Sequence, residues 1–448
     1  MRFMLALKML IIGVVMGVIL ISLALVNWAI SDRQNYRDEA VKSIEASYAG
    51  PQTVVGPVLV RPYTQTTVKM VDGENGAKKR VENTEELTAT WFPRTLDVRG
   101  KLTPSERRHG LYKVTVYEVA AHIKGTMEVA PPAVTGTVVW GEPYLAMSVQ
   151  DVRGVVGTPT VRVNGTPETV VQGAPANMGW KPNLRVPLRG LKELNGHIEF
   201  EIDMTLAGTE QLSVAPVGDS NHVELTSTWP SPLFAGQFLP RTRDVGANGF
   251  SAAWDVSSLA AGTQVQMQSS ADKPIDMMNV SLLTPIDPYK LSDRATKYGI
   301  LFVVLTFGGF FLFEMMKQLP IHPVQYLLVG FGLAIFFLLL VSFSEHMAFA
   351  VAYLIASAAC IGLLTFYLSY VLRSMTRGLG FGAMLTTLYA AVYGLLVSED
   401  NALVLGALML FAVLAVVMVV TRKVDWYRGG AALVKATDPP TPAESVNA

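Results

Sequence analysis

The chain has 448 residues, of which 50% are hydrophobic and 16% are charged, and its mean hydropathy is +0.35. Soluble domains carry about 25% charged residues, so this composition indicates a membrane protein. The 36 basic and 36 acidic residues cancel, which leaves no positive excess for binding nucleic-acid phosphates. With a single cysteine, Cys360, the chain cannot form an internal disulfide.

Six apolar stretches are candidates for crossing a bilayer, whose hydrocarbon core takes roughly 20 helical residues. They are residues 9–30, 298–313, 323–343, 347–372, 378–397 and 402–421. The second is the shortest and needs its flanking residues to span. The first is predicted to be a retained anchor, because its 22 apolar residues exceed the roughly 7 to 15 of a cleaved signal peptide and no A-x-A site follows.

Basic residues near these stretches fall on one side of the predicted membrane. They are Arg2, Lys8, Lys317, Arg373, Arg377, Arg422, Lys423, Arg428 and Lys435. The short loops on the other side, residues 344–346 and 398–401, contain no Lys or Arg. The positive-inside rule therefore predicts cytoplasmic termini. Residues 1–30 form the N-terminus and first helix, 295–423 form helices two to six, and 424–448 form a disordered cytoplasmic tail.

Residues 31–294 hold 26 basic and 29 acidic residues, which predicts one large extracytoplasmic domain between the first and second helices. Its first part, 31–50, places Tyr36, Ala40, Val41 and Ile44 on one helical face. This predicts an amphipathic juxtamembrane helix that either rests on the membrane or extends the first helix. Beyond Val54 the apolar period changes to two, with frequent Gly and Pro, which predicts an antiparallel β-sandwich.

An internal repeat divides this domain. ELTATW at 86–91 and PRTLDV at 93–98 recur in the same order as ELTSTW at 224–229 and PRTRDV at 240–245. Each pair is followed by a strand that begins with Gly. We therefore predict tandem β modules at about 50–175 and 185–292. The apolar loop PSPLFAGQF, at 230–238, occurs in the second copy only and is a candidate contact surface for a partner.

The sequence contains no catalytic motif. The histidines at 109, 122, 197, 222, 322 and 346 are scattered, with no H-E-x-x-H pattern. G-x-S-x-G and G-x-x-x-x-G-K-[ST] are also missing from the sequence. Glu199 and Glu201 alternate with apolar residues, which is typical of a solvated sheet face. We predict no catalytic residues, no metal site and no cofactor.

Transporters usually carry ionisable residues at mid-membrane depth, and the apolar stretches contain none there. The ionisable residues of this region are predicted at helix ends, where they would be solvated: Glu314, His322, Glu345, His346 and Arg373. The remaining intramembrane polar residues are predicted to bond between helices: Thr306, Gln325, Ser357, Thr365, Thr386 and Thr387.

Several longer segments resemble one protein family. They are DRATKYGILFVVLTFGGFFLFE from Asp293, IHPVQYLLVG from Ile321, LSVAPVGDSNHVELTSTWPSPLFAGQFLP from Leu212, SEH at 344–346, SYAGPQTVVGPVL and TRKVDWY. These segments are similar to the CreD family of bacterial inner-membrane proteins, over nearly the whole chain. The resemblance implies a periplasmic domain, induction under a two-component regulator, and a link to envelope integrity, β-lactam response and colicin tolerance. It supplies no catalytic residue.

Two functions remain open at this point. In the first, the β modules bind a periplasmic protein, polymer or lipid, and six helices anchor them in the lipid bilayer. In the second, the helices are the working part of a transport or lipid-handling component. The lack of ionisable residues at mid-membrane depth favours the first.

Overall fold

A computed structural model of the chain describes residues 2–72, 78–173, 180–190, 196–269, 275–282, 288–317, 321–398 and 401–422. The predicted tail, 424–448, and the basic residues from Lys423 onward lie outside them. The chain divides into a helical unit, 1–36 with 286–448, and a β unit, 37–285. An α+β membrane protein with a large β domain is therefore confirmed.

Helices cover the apolar stretches of the described chain, because lipid leaves no other partner for the backbone N–H and C=O groups. The helices are α1 (Arg2–Ser47), α2 (Thr263–Gln268), α3 (Pro288–Lys317), α4 (Pro323–Ser344), α5 (Phe349–Val371), α6 (Met375–Val397) and α7 (Ala402–Thr421). Within the described residues, α1, α4, α5 and α6 are long and apolar enough to cross a membrane, and α7 contains a shorter apolar helix, Val404–Val419.

Aromatic side chains fill the centre of the helical unit. The Tyr389 ring lies 4.5 Å from the Phe302 ring and 4.6 Å from the Phe336 ring, both edge-on. The Tyr353 hydroxyl donates to the Tyr389 carbonyl across α5 and α6 at 2.8 Å. These contacts join α3, α4, α5 and α6 around one buried cluster.

Within the described chain, none of the five intramembrane hydroxyl residues makes the predicted bond between helices. The buried hydroxyls of Thr306 and Thr365 have no hydrogen-bond partner among the described residues. Ser357, Thr386 and Thr387 each donate to the carbonyl four residues earlier in their own helix, at 2.7–3.0 Å. A helical Ser or Thr can reach this carbonyl without a partner helix. Gln325 lies at the start of α4 instead, where its side chain accepts a bond from the His322 N–H at 3.1 Å.

The β unit contains strands of two to 21 residues. They are β1 (Gln52–Asp72), β2 (Lys78–Trp91), β3 (Thr95–His109), β4 (Tyr112–Val129), β5 (Thr137–Trp140), β6 (Tyr144–Val149), β7 (Val155–Val163), β8 (Thr166–Glu168), β9 (Val171–Gln172), β10 (Leu184–Pro187), β11 (Gly196–Thr209), β12 (Gln211–Val214), β13 (Ser220–Ser227), β14 (Leu233–Gly236), β15 (Thr242–Gly246), β16 (Gly249–Ser257) and β17 (Met278–Ser281).

These strands form two sheets. Sheet A has the order β14-β17-β12-β1-β6-β10-β9, with β2 and β5 also paired to β1. Sheet B has the order β15-β16-β13-β3-β4-β11-β7-β8. Most pairs are antiparallel, as predicted, but β1 pairs with β12 and β3 pairs with β13 in parallel. Apolar side chains of both sheets meet in one core, which includes Leu59 and Leu145 of sheet A with Val98, Ile123 and Ile202 of sheet B.

The sheets do not separate into the predicted modules 50–175 and 185–292, because each sheet contains strands from both ranges. The two halves of the repeat are only partly equivalent. PRTLDV and PRTRDV both lead into a hairpin of sheet B, formed by β3 with β4 and by β15 with β16. ELTATW, however, lies on β2 in sheet A, whereas the start of ELTSTW lies on β13 in sheet B.

The one-copy segment PSPLFAGQF forms a strand instead of an open loop. Its residues 233–236 are β14, which pairs with β17 at the edge of sheet A. The Phe234 ring packs edge-on against Phe250 and Trp254, each at 5.7 Å. Leu233 remains 55% exposed. Phe234 and Phe238 are partly buried against the core, so part of the apolar surface of this segment stabilises the β unit and is not free to contact a partner.

The predicted juxtamembrane helix is the C-terminal part of α1, which runs without a break to Ser47. Ile44 packs there against Val114 and Val116 of β4. The Arg153 guanidinium donates to the Ala46 and Glu45 carbonyls at 2.6 and 3.2 Å, which supplies partners for the helix end.

Asp151 orients this arginine. Its carboxylate lies 2.6 Å from Arg153 Nη2 and accepts a hydrogen bond from the Gly50 N–H at 3.1 Å. The bonds from Arg153, followed by the Gly50 N–H, lower the pKa of Asp151 from 3.8 to about 2. The charged form of Asp151 is therefore favoured in the folded state.

This lowered pKa predicts acid sensitivity. The stabilisation by Asp151 is fully present above its unfolded pKa, near 4, and is lost as the pH falls toward about 2. Asp151→Asn should lower the free energy of unfolding at neutral pH by on the order of 1 kcal/mol and flatten its dependence on pH across this window. Thermal unfolding of the purified chain, followed by circular dichroism across acidic pH, measures both. Equal acid sensitivity of Asp151→Asn and the unaltered chain would contradict this assignment.

Candidate functional site

The outer face of sheet B carries ordered rows of charged side chains. Successive residues of a strand point to opposite faces, so the apolar residues of β3, β4, β11, β13 and β16 enter the core and the polar residues between them face outward. The burial of these strands alternates accordingly. Strand pairing then decides which charged residues become neighbours.

Two rows of directly opposed residues cross this sheet. The first row is Asp255, His222, Asp97, Lys124, Glu201 and Arg162, on β16, β13, β3, β4, β11 and β7. The second row is Glu224, Arg99, His122 and Asp203, on β13, β3, β4 and β11. We call these ten residues the charged face.

Short polar contacts hold several side chains of the charged face in place. His222 Nδ1 lies 2.7 Å from Asp255 Oδ1, and Arg99 Nε donates to Asp97 Oδ1 at 3.2 Å. Such cross-strand and neighbouring pairs stabilise a sheet by roughly 0.2–1 kcal/mol each. The side chains stay open to solvent, as the 56% exposure of Arg99 illustrates. The charged face is therefore ordered and also accessible.

His122 has two acidic neighbours on this face. Its Nδ1 lies 2.7 Å from Asp203 Oδ1, and its Nε2 lies 3.7 Å from Glu201 Oε1. The second oxygen of Glu201, Oε2, lies 3.8 Å from Arg162 Nη1. Sequence spacing misses this grouping, because His122 is far along the chain from both carboxylates. The period-two alternation on both strands is the one signal that could have placed all three on the same face.

A further histidine, His197, lies beside two carboxylates on the same surface. His197 Nδ1 lies 3.0 Å from Glu128 Oε1, and His197 Nε2 lies 3.4 Å from Glu199 Oε1. The bond to Glu128 and then that to Glu199 raise the pKa of His197 above 6.5. Glu199 and Glu201 do lie on a solvated sheet face as predicted, but each is paired with a histidine there.

In the helical unit, Glu314 departs from the prediction of a solvated helix end. It is only 2% exposed. Its Oε2 accepts a hydrogen bond from the Tyr326 hydroxyl at 2.7 Å, and its Oε1 accepts one from the Ile321 N–H at 3.3 Å. The start of α4 therefore covers this side chain, because Tyr326 packs inward beside α3, with its ring 4.6 Å from that of Phe310.

The other ionisable residues do lie at helix ends. His322 is the N-cap of α4 and accepts a bond from the Val324 N–H at 3.3 Å. Glu345 lies 3.6 Å from Arg33 and accepts a bond from the Tyr289 hydroxyl at 3.3 Å. His346 and Arg373 are exposed. Glu345, at 10% side-chain exposure, is shielded more than expected.

The burial of Glu314 makes it a test of stability. Glu314→Leu leaves the Tyr326 hydroxyl without this acceptor, so we expect a loss of about 1–3 kcal/mol in unfolding free energy. Glu314→Gln keeps an acceptor of similar shape and should lose less. Unfolding of the purified chain in detergent measures the loss, with Arg373→Ala as an exposed control at another helix end. A Glu314→Leu chain as stable as that control would contradict the buried contact.

Comparison with known proteins places this architecture. The family described as "Inner membrane protein CreD" matches residues 4–427. The protein of that name from Escherichia coli strain K12 is 36% identical over 425 residues, which are 94% of this chain and 93% of the relative.

Solved structures give only weak similarity. An M1 zinc metallopeptidase from Deinococcus radiodurans matches with a TM-score of 0.23 and 8% identity, over 43% of this chain and 42% of that one. A two-domain M1 zinc metallopeptidase matches with a TM-score of 0.23 and 10% identity, over 79% and 96% of the two chains. At these TM-scores neither structure indicates a function for this chain. The family match and the E. coli relative together show that this chain belongs to the CreD family of inner-membrane proteins.

Proposed function

We propose that this inner-membrane protein supports envelope integrity and the stress response by binding a periplasmic partner through the charged face. The partner is a protein, polymer or lipid headgroup with charges of both signs. The six predicted helices anchor the β unit in the lipid bilayer. The family's description names an inner-membrane protein and no enzymatic activity.

The charged face is the observation that carries this proposal. It presents five carboxylates, three permanent cations and two histidines in two rows across neighbouring strands, which are spaced about 4.8 Å apart. Fixed charges of both signs select a partner by the order of its own charges and penalise misaligned partners by like-charge repulsion. The edge segment 230–238 is a weaker candidate surface, because Phe234 is committed to the core.

The proposed membrane orientation rests on the distribution of basic residues, which places both termini in the cytoplasm and the β unit in the periplasm. A reporter that is active only in the periplasm should be active when inserted between residues 70 and 80 and silent when fused after residue 435. The opposite pattern would refute the orientation. Detection of both fusions on immunoblots controls for expression.

A charge reversal tests the charged face. Lys124→Glu puts a like charge beside Glu201 and Asp97 and should weaken partner binding about tenfold, equivalent to roughly 1.4 kcal/mol. Lys113→Glu is a matched control, because Lys113 is also exposed on β4 and lies 3.2 Å from Glu106 outside the charged face. Two quantities are measured in intact cells for each variant: the yield of partner crosslinked to the chain, and survival under envelope-damaging detergent. Equal results for the two variants at equal protein level would contradict the proposal.

The burial of Glu314 favours the second candidate, a transport or lipid-handling component, because a shielded carboxylate in the helical unit can mark a working site. Glu314→Gln separates the two proposals. If the chain keeps its stability and its partner crosslinks but loses detergent survival, the helical unit is the working part. If Glu314→Gln leaves detergent survival intact and Lys124→Glu impairs it, the β unit is the working part.

A further inference from the structure

We propose that His122, Glu201 and Asp203 form a binding site for a divalent transition-metal cation of the Zn²⁺ class. This inference goes beyond partner binding by the charged face and does not depend on it, because metal binding is measured on the purified chain without a partner.

The three side chains each bring one possible ligand atom close to the other two. One imidazole nitrogen and one oxygen of each carboxylate all lie within 4.8 Å of one another. Within the described part of the chain, this is the group of at least three His, Cys, Asp or Glu residues whose ligand atoms lie this close together. Ligands bound to one Zn²⁺ at about 2.0–2.1 Å lie about 3.3 Å apart. Metal binding therefore requires the three side chains to rotate toward one another.

The strands hold the three residues on a rigid support. His122 on β4 is directly opposite Asp203 on β11, and Glu201 is two residues earlier on the same face. Both strands are paired on their other edges as well, β4 with β3 and β11 with β7. A site on central strands keeps its ligands in place before the metal arrives, which reduces the entropic cost of binding.

The donor set matches a borderline divalent cation. An imidazole nitrogen favours transition metals over Mg²⁺ and Ca²⁺, and two carboxylates supply the negative charge that balances a 2+ ion. The exposure of Asp203, at 59%, leaves room for water to complete the coordination. Zinc bound by three protein ligands can take water as its fourth ligand.

The surrounding cations are consistent with such a site. Arg162 contacts Glu201 Oε2, which is not the oxygen nearest to His122, so it can orient the carboxylate while the other oxygen binds metal. Arg99 donates to Asp97, which offsets its charge beside His122. Lys124 is opposite both Glu201 and Asp97, so its charge is shared between two carboxylates.

His197 offers a matched control on the same face. Like His122, it contacts two carboxylates through opposite ring nitrogens, Glu128 at 3.0 Å and Glu199 at 3.4 Å. This group does not meet the spacing that the His122 group meets. His197→Gln therefore removes the same chemical group from the same surface without touching the proposed ligands.

Zinc binding to the purified full chain in detergent tests the proposal. Equilibrium dialysis against ZnCl₂ with metal analysis should find one Zn²⁺ per chain that is weakened at least about tenfold in His122→Gln and in Asp203→Asn, and unchanged in His197→Gln. Zn²⁺ should also raise the melting temperature of the unaltered chain and of His197→Gln, but not of His122→Gln. Circular dichroism of each variant without metal confirms that it is folded.

Two results would overturn the proposal. The first is equal zinc stoichiometry and affinity in the unaltered chain and in folded His122→Gln. The second is an equal loss of binding in His122→Gln and His197→Gln, which would mean that surface histidines bind zinc without a defined site. The Lys124→Glu crosslinking test concerns only the proposed partner. Its failure would therefore not change the conclusion about zinc binding.

Discussion

Two parallel strand pairs, β1 with β12 and β3 with β13, determine the architecture of the β unit. Each pair joins a strand from the first half of the domain to one from the second half, so neither half can complete a sheet alone. Parallel neighbours need long connections, and here the intervening strands serve as those connections. The result is one core between two sheets. A break in either half should therefore affect the whole β unit.

That shared core is also what makes the charged face available. Sheet B buries Val98, Ile123 and Ile202 on its inner side. The alternate residues point to the outer side and do not pack in the core. Most of them are polar, and the pairing of six neighbouring strands arranges the charged ones in two rows. The inner face of sheet B thus stabilises the β unit, and its outer face is available to bind a partner. Substitutions on the outer face can change binding with little effect on the core.

The helical unit has an apolar exterior and a few hydrogen bonds between buried polar groups. Glu314 and Tyr326 bond to each other under cover of α4, and Tyr353 bonds to the Tyr389 carbonyl between α5 and α6. Each unpaired group in such surroundings would cost several kcal/mol. These bonds therefore favour one arrangement of the helices over others that bury the same apolar surface. Glu314 is the acidic member of this set and the residue that keeps a membrane-based function open.

The sequence by itself determined the class of the protein, its apolar helices, the β character of residues 50–292 and its family. Each of these follows from composition, periodicity or local motifs, which need no knowledge of distant neighbours. Only the tertiary structure decided how the repeats interleave, that PSPLFAGQF packs on the core, that Glu314 is buried, and that His122 meets Glu201 and Asp203. These outcomes depend on strand register and helix packing between segments far apart in the chain. Local periodicity fixes which face a side chain occupies, but it does not fix which strand lies beside it.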